Sequence, residues 1–340
     1  MAQQPGKNGS DPASRTTLHI DKIVRALPAR RGLTASLKQY QGHWFHDHVV
    51  PGIISVQEKF RAKSDQIVLA SFPKSGTTWL KALLFCLVNR SRYDFGHGGR
   101  SSPDNPLISS NPHACVPFLE IHALAHLDDP NPDSPILSSH LPHSLLPRSV
   151  VESGCKIVYV MREPKDVLVS LWMFAEKAWK GTSTSGLDAA VDMFCDGFVH
   201  GGPYWDHVVG YMNASLKSPD TILTMTYEDL MERPVHNVKR LADFIGQPFS
   251  TAEEDQGVVE GIVSFCSFDK LSNLEVNKTQ LTSVEGISFA IPNDTFFRKA
   301  RIGDWETHLN DEKRERLDDI TRRKFKHIDG LSHYSGSTSD

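Results

Sequence analysis

Apolar residues along the chain come in short blocks closed by polar turns. The first strong block, DQIVLASF (65–72), runs straight into a Pro-Lys-Ser-Gly turn and reads as a buried strand. Past the turn the period changes. In TTWLKALLFCLVNR the residues Trp79, Leu80, Leu83, Leu84, Leu87 and Val88 recur at helical spacing. Three further blocks, PILSSH (135–140), CKIVYVM (155–161) and TILTMTY (221–227), read as strands. Helical patterns follow the last two, EPKDVLVSLWMFAEKAWK and EDLMERPVHNVKRLADFIG. Strands alternating with helices predict an α/β fold with a central parallel sheet covered on both faces.

No internal repeat and no long linker interrupts this alternation, so a single domain is expected over 17–328. A polar disordered tail is expected at 1–16 and a flexible tail at 329–340. The stretches 96–113 and 127–135 read as surface loops, and LNDEKRERLDDITRRKFK (309–326) as a solvated helix with charges at i,i+4 spacing. Segment 275–304 has little periodicity and ends in a basic cluster, which points to a functional lid.

Composition narrows the function classes. Of 340 residues 39% are hydrophobic and 23% charged, enough for a real core. The net charge of −4 argues against a protein that coats nucleic acid or lies on a membrane. No run approaches the roughly 18 apolar residues a membrane span needs. The polar start shows no apolar core of a signal peptide, so a cytoplasmic protein is expected. Its five cysteines lack C-x-x-C spacing and read as reduced thiols; the sequons at Asn213 and Asn293 read as chance.

The candidate chemistry lies in SFPKSGTTWLKALL (71–84). The usual phosphate loop, G-x-x-x-x-G-K-[ST], has its lysine after the second glycine. Here Lys74 precedes the only glycine, Gly76. A loop between strand and helix still aims backbone N–H groups and the helix dipole at an anion. An ATP or GTP machine would also end a second strand in a metal-binding Asp. This chain has Arg162 there, suited to fork onto a phosphate, with Ser170 eight residues on and Arg298-Lys299 in the late loop. Two phosphate-type sites and no metal site are therefore expected. His140 ends a predicted strand, where α/β folds place functional groups, and its ordinary pKa of about 6.5 suits general-base work.

FPKSGTTWLKAL, VYVMREPKDVLVSLWMF and FFRKARIGDWETHL together resemble the cytosolic sulfotransferase family, over about residues 40 to 325, and YQGHWF (40–45) is similar to its plant branch. The resemblance implies a P-loop-kinase-like fold. It implies 3′-phosphoadenosine 5′-phosphosulfate (PAPS) as co-substrate and adenosine 3′,5′-bisphosphate (PAP) as product, with no metal. It further implies that Lys74, Ser75, Gly76, Thr77 and Thr78 cradle the 5′-phosphosulfate. Trp79, Tyr227 and Phe268 would surround the adenine, although core packing calls for the same residue types. Arg162, Ser170, Arg298 and Lys299 would hold the 3′-phosphate. The family pattern places the catalytic base in Ser139-His140-Leu141-Pro142, with Lys74 assisting the leaving phosphate and Ser170 restraining that lysine until acceptor binds.

Two departures from the family pattern stand out. Ala300 occupies a glycine position in the Arg-Lys-Gly motif of many relatives, and Ser138 stands where animal relatives often have lysine. The dimerisation segment of animal enzymes is not recognisable, so a monomer or weak homodimer is expected. The expected acceptor is a small, partly apolar hydroxylated molecule such as a flavonoid, phenolic, steroid or hydroxyjasmonate, met by Phe118, His122, Phe289 and Ile291. His143 is read as an acceptor contact or a helix start, and Trp44 and Phe45 mainly as packing. The competing readings are a nucleotide kinase or NTPase, a non-catalytic PAPS- or PAP-binding protein, and a carbohydrate or protein sulfotransferase of the secretory pathway.

Overall fold

Five consecutive buried residues, Ile67–Ser71, form strand β1 at the middle of a four-stranded sheet. A computed structural model of the chain describes residues 12–96, 98–178, 186–283, 290–328, 331 and 334. β1 pairs in parallel with β2 (Ile136–Ser139) on one side and with β3 (Lys156–Met161) on the other, and β4 (Ile222–Thr226) pairs with β3. The order is therefore β2-β1-β3-β4, all parallel, which agrees with the alternation in the sequence.

Buried on both faces, these strands are almost wholly apolar, as parallel sheets require. Val68 and Ala70 of β1 and Ile157, Tyr159 and Met161 of β3 enter one core. Ile67, Leu69, Val158 and Val160 enter the other. Helices Val50–Lys59, α2 (Leu119–Ala125), α3 (Pro164–Ala178) and Tyr204–Lys217 cover the first face. Helices α1 (Thr77–Val88), Pro234–Phe244 and Val258–Phe265 cover the second.

The expected helix over EDLMERPVHNVKRLADFIG is two helices, Tyr227–Glu232 and Pro234–Phe244, because Pro234 cannot continue the first. The charged helix Asp311–Phe325 is not solvated all round: Leu317, Thr321 and Phe325 are buried, and Trp205 Nε1 donates to Thr321 Oγ1 at 2.9 Å. A helix, Pro12–Ala26, begins inside the stretch read as a tail. At the other end Leu331 and Tyr334 are buried, and Tyr334 Oη donates to Glu228 Oε2 at 2.5 Å. Segment 275–304 contains a helix, Glu275–Thr279, and a short antiparallel pair, Leu281–Ser283 with Ala290–Pro292.

Candidate functional site

All four strands deliver chemistry just past their carboxyl ends. β1 leads into the Lys74 loop, β2 into His140, β3 into Arg162 and β4 into Tyr227. These ends open on one cavity of about 840 Å³. Of the residues singled out from sequence, Lys74, Gly76, Thr77, Thr78, Trp79, His140, Arg162, Ser170, Tyr227, Phe268, Arg298, Lys299 and Ala300 all border it. Ser75 is buried in the loop beneath.

Tight backbone geometry shapes the Lys74 loop. Gly76 has φ of +109°, and a Cβ there would lie 2.8 Å from a ring carbon of Tyr227, so only glycine fits. Lys74 itself is left-handed, with φ of +70°, and its Nζ sits 4.1 Å from the centre of the Phe174 ring. Burial, then Arg298, Arg162 and Lys177, lower the Lys74 pKa to about 7. Thr77 Oγ1 lies 2.7 Å from Ser71 Oγ, and Thr78 Oγ1 lies 2.9 Å from His113 Nε2.

A second group of cations lies on β3's exit and the late loop. Arg162 is buried, donates through Nη2 to Arg301 O at 2.8 Å, and lies 4.4 Å from the centre of the Tyr227 ring. Tyr227 meets Trp79 edge-on at 5.8 Å, and Phe268 lies 6.4 Å from Phe297. Arg298 and Lys299 both pair with the fully buried Asp304. Asp166 of α3 anchors the same loop by accepting from Gly303 N–H at 2.9 Å and Trp305 N–H at 3.1 Å. Ala300 has φ of +47°, so the glycine of relatives would meet a real conformational demand.

His140 is held at every polar atom but one. Its Nδ1–H donates to Ser71 O at 2.7 Å, which leaves Nε2 as the lone-pair nitrogen. Its backbone N–H donates to Glu120 Oε1 at 2.7 Å, while Ser139 Oγ donates to Glu120 Oε2 at 3.0 Å. His207 Nε2 donates to the His140 carbonyl at 3.3 Å and its Nδ1 faces Tyr159 Oη at 2.9 Å. Burial, with added repulsion from Lys81 and Lys74, lowers the His140 pKa to about 3 against the bond to Ser71. The imidazole is therefore neutral at pH 7, and a weaker base than the ordinary pKa of about 6.5 would make it.

Glu120, Asp166, Asp304, Lys81 and His113 were not picked out by sequence reasoning. Glu120 stands twenty residues before His140 with nothing local to link them, whereas Asp304 lies five residues past Lys299 within a motif already quoted. Phe118, His122 and Ile291 border the cavity as expected for acceptor contacts, and Phe289 lies outside the described residues. Trp44 packs edge-on against Phe198 at 4.6 Å and Phe45 is buried. His143 opens the 3₁₀ turn His143–Leu145, and neither it, Trp44 nor Phe45 borders the cavity. Among the described residues no three His, Cys, Asp or Glu side chains are grouped to hold a metal.

The donor-side residues fit an anionic nucleotide. Ser75 Oγ, Trp79 Nε1 and Arg162 Nε are buried donors with no hydrogen-bond partner among the described residues. Orphaned donors of this kind need an acceptor. Lys74, Arg162, Arg298 and Lys299 border the cavity and outnumber the carboxylates of Asp166 and Asp304 that pair with them, and the aromatic pair offers a surface for a base.

A doubly covered parallel sheet with a lysine loop after its central strand, a neutral histidine and two cation groups suits an α/β enzyme that takes an anionic co-substrate. Residues 64–329 match the sulfotransferase domain. The chain is 39% identical to cytosolic sulfotransferase 16 of Arabidopsis thaliana, over 98% of this chain and 99% of that protein. It is 41% identical to flavonol 3-sulfotransferase of Flaveria bidentis, over 90% and 97% respectively. The crystal structure of an Arabidopsis thaliana protein assigned as a steroid sulphotransferase matches with a TM-score of 0.69 at 32% identity, over 96% of this chain and 99% of that one. The chain belongs to the sulfotransferase family and is a sulfotransferase. No described helix is long and apolar enough to cross a membrane.

Proposed function

We propose that this sulfotransferase moves a sulfuryl group from PAPS to a hydroxyl of a small, partly apolar metabolite in the cytoplasm, acting as a monomer or weak homodimer. The observation that carries this reading is the pair of cation groups on one cavity. Lys74 on the loop after β1, and Arg162, Arg298 and Lys299 at the exit of β3 and on the late loop, suit a nucleotide with anionic groups at two places. Relatives point the same way. Curated ones are named cytosolic and flavonol sulfotransferases, and the fold-level match to mouse sulfotransferase SULT7A1 is a complex with PAP. A flavonoid, other phenolic, steroid or hydroxyjasmonate is the acceptor class proposed, received by Phe118, His122 and Ile291.

PAPS supplies an activated sulfuryl group on a phosphate leaving group. The chain supplies positions and charges. Lys74, Ser75, Gly76, Thr77 and Thr78 hold the 5′ end, Trp79, Tyr227 and Phe268 hold the adenine, and Arg162, Ser170, Arg298, Lys299 and the Ala300 backbone hold the 3′-phosphate. His140 Nε2 takes the acceptor hydroxyl proton, its tautomer fixed by the Ser71 carbonyl. Lys74 presents its ammonium to the oxygen on which negative charge grows. Ser170, buried on α3, restrains Lys74 until acceptor enters.

Turnover of labelled PAPS with a panel of phenols and steroid alcohols tests this. His140→Ala is expected to lower kcat by about 10²–10⁴-fold, the usual worth of a general base, with PAP affinity unchanged. Wild-type turnover by the His140→Ala protein would remove the base from the mechanism.

A further inference from the structure

Beneath the cavity floor lies a lysine that the proposed reaction does not use. Lys81, on α1, is fully buried, and among the described residues it forms no ion pair. Such a charge is expensive to bury, and an apolar side chain would serve packing better. Its Nζ instead donates to Val116 O at 2.8 Å, faces His113 Nδ1 at 3.0 Å and lies 3.4 Å from the centre of the Phe118 ring. Thr78 is three residues earlier on the same helix face, and its Oγ1 meets the other nitrogen of His113 at 2.9 Å.

These contacts can run in two directions. An ammonium only donates; burial lowers the Lys81 pKa well below its ordinary value, and a neutral amine can either donate to His113 Nδ1, as it does to Val116 O, or accept from it. With Nδ1 accepting, neutral His113 carries its proton on Nε2 and donates it to Thr78 Oγ1. The Thr78 hydroxyl then keeps its own hydrogen for the cavity it borders. In the opposite direction Thr78 would give that hydrogen to His113 and turn lone pairs toward an anion. Burial, then Lys81 and His140, hold the His113 pKa well below its ordinary value, so the ring stays neutral.

We propose that Lys81 is a positioning residue that acts through His113 to aim the Thr78 hydroxyl hydrogen at the co-substrate's 5′-phosphate. This rests on the PAPS reading above. The same lysine lies over the face of Phe118, whose ring centre lies 4.6 Å from that of His140, so one buried side chain touches both donor cradle and base.

Two measurements on the full chain test it. Nitrogen-15 NMR of the histidine side chains reads the His113 tautomer directly: Nε2–H is expected, and Nδ1–H overturns the proposal even if no variant folds. Calorimetry with PAP then compares wild type, Lys81→Met, Thr78→Val and the double variant, with His113→Phe as a second way to cut the relay. Each single change is expected to weaken PAP binding about tenfold, the worth of one hydrogen bond to a charged group. The double variant is expected to bind no worse than Thr78→Val alone. Additive losses, or wild-type affinity in Lys81→Met, overturn the relay while leaving the PAPS reading intact. Failure of wild type to bind PAP overturns both.

Discussion

Lys74 sits in a left-handed backbone conformation, buried and with other cations near its ammonium, and its proton is correspondingly loosely held. In the free protein the charged form is lost as pH rises through about 7, whereas a phosphate on the loop favours that form. PAP binding should therefore take up a proton above that pH and weaken by as much as tenfold per pH unit. Calorimetry at pH 8 in buffers of different ionisation heat measures the uptake, and Lys74→Met should abolish it. Binding that is independent of buffer and flat from pH 7 to 9 would contradict the role given to this lysine. At this scale the sequence was legible where a residue belongs to a contiguous motif, as for Lys74, Gly76 and Arg162. It was silent on Glu120 and Asp166, whose partners lie at His140 and at Gly303 and Trp305, far along the chain. Ala300 falls between these cases: its departure from the family motif was visible, but the positive φ that gives the departure a cost was not.

At the scale of elements, the strands β1 to β4 and helices α1 and α3 followed from period and composition because burial on both faces leaves little freedom of residue type. The strands at Ser36–Tyr40 and His43–His46 were not foreseen, since they are mostly half-buried and carry a mixed polar pattern. The late loop shows how elements share a task. α3 holds it through Asp166, and Asp304 gathers Arg298 and Lys299 on it. Asp166→Ala removes the acceptor of two backbone N–H groups and the carboxylate 3.4 Å from Arg162. A loss of about 3–5 kcal/mol in urea unfolding is expected for breaking a buried pair, together with weaker PAP binding. Wild-type stability and affinity in that variant would mean the loop is held by other contacts.

Across the whole molecule, the carboxyl end of one sheet gathers a loop, a histidine, an arginine and a tyrosine that are spread over more than 150 positions of the sequence. Parallel strands make this possible, because every carboxyl end points to the same side. The mild net charge of −4 conceals the result: Lys74, Arg162, Arg298 and Lys299 all border the same cavity. Residue types and order were enough to suggest two phosphate sites; the orphaned donors that make the fit concrete required three dimensions.

On the reading proposed, the cavity recognises phosphates at two separate places. Calorimetric titration of PAP into the metal-free protein, beside AMP and with Arg162→Ala in parallel, tests it most directly. Wild type is expected to bind PAP far more tightly than AMP, and Arg162→Ala to lose about a hundredfold of PAP affinity with little change toward AMP. Equal affinity for PAP and AMP, or PAP binding untouched by Arg162→Ala, would contradict the 3′-phosphate site and with it the PAPS reading.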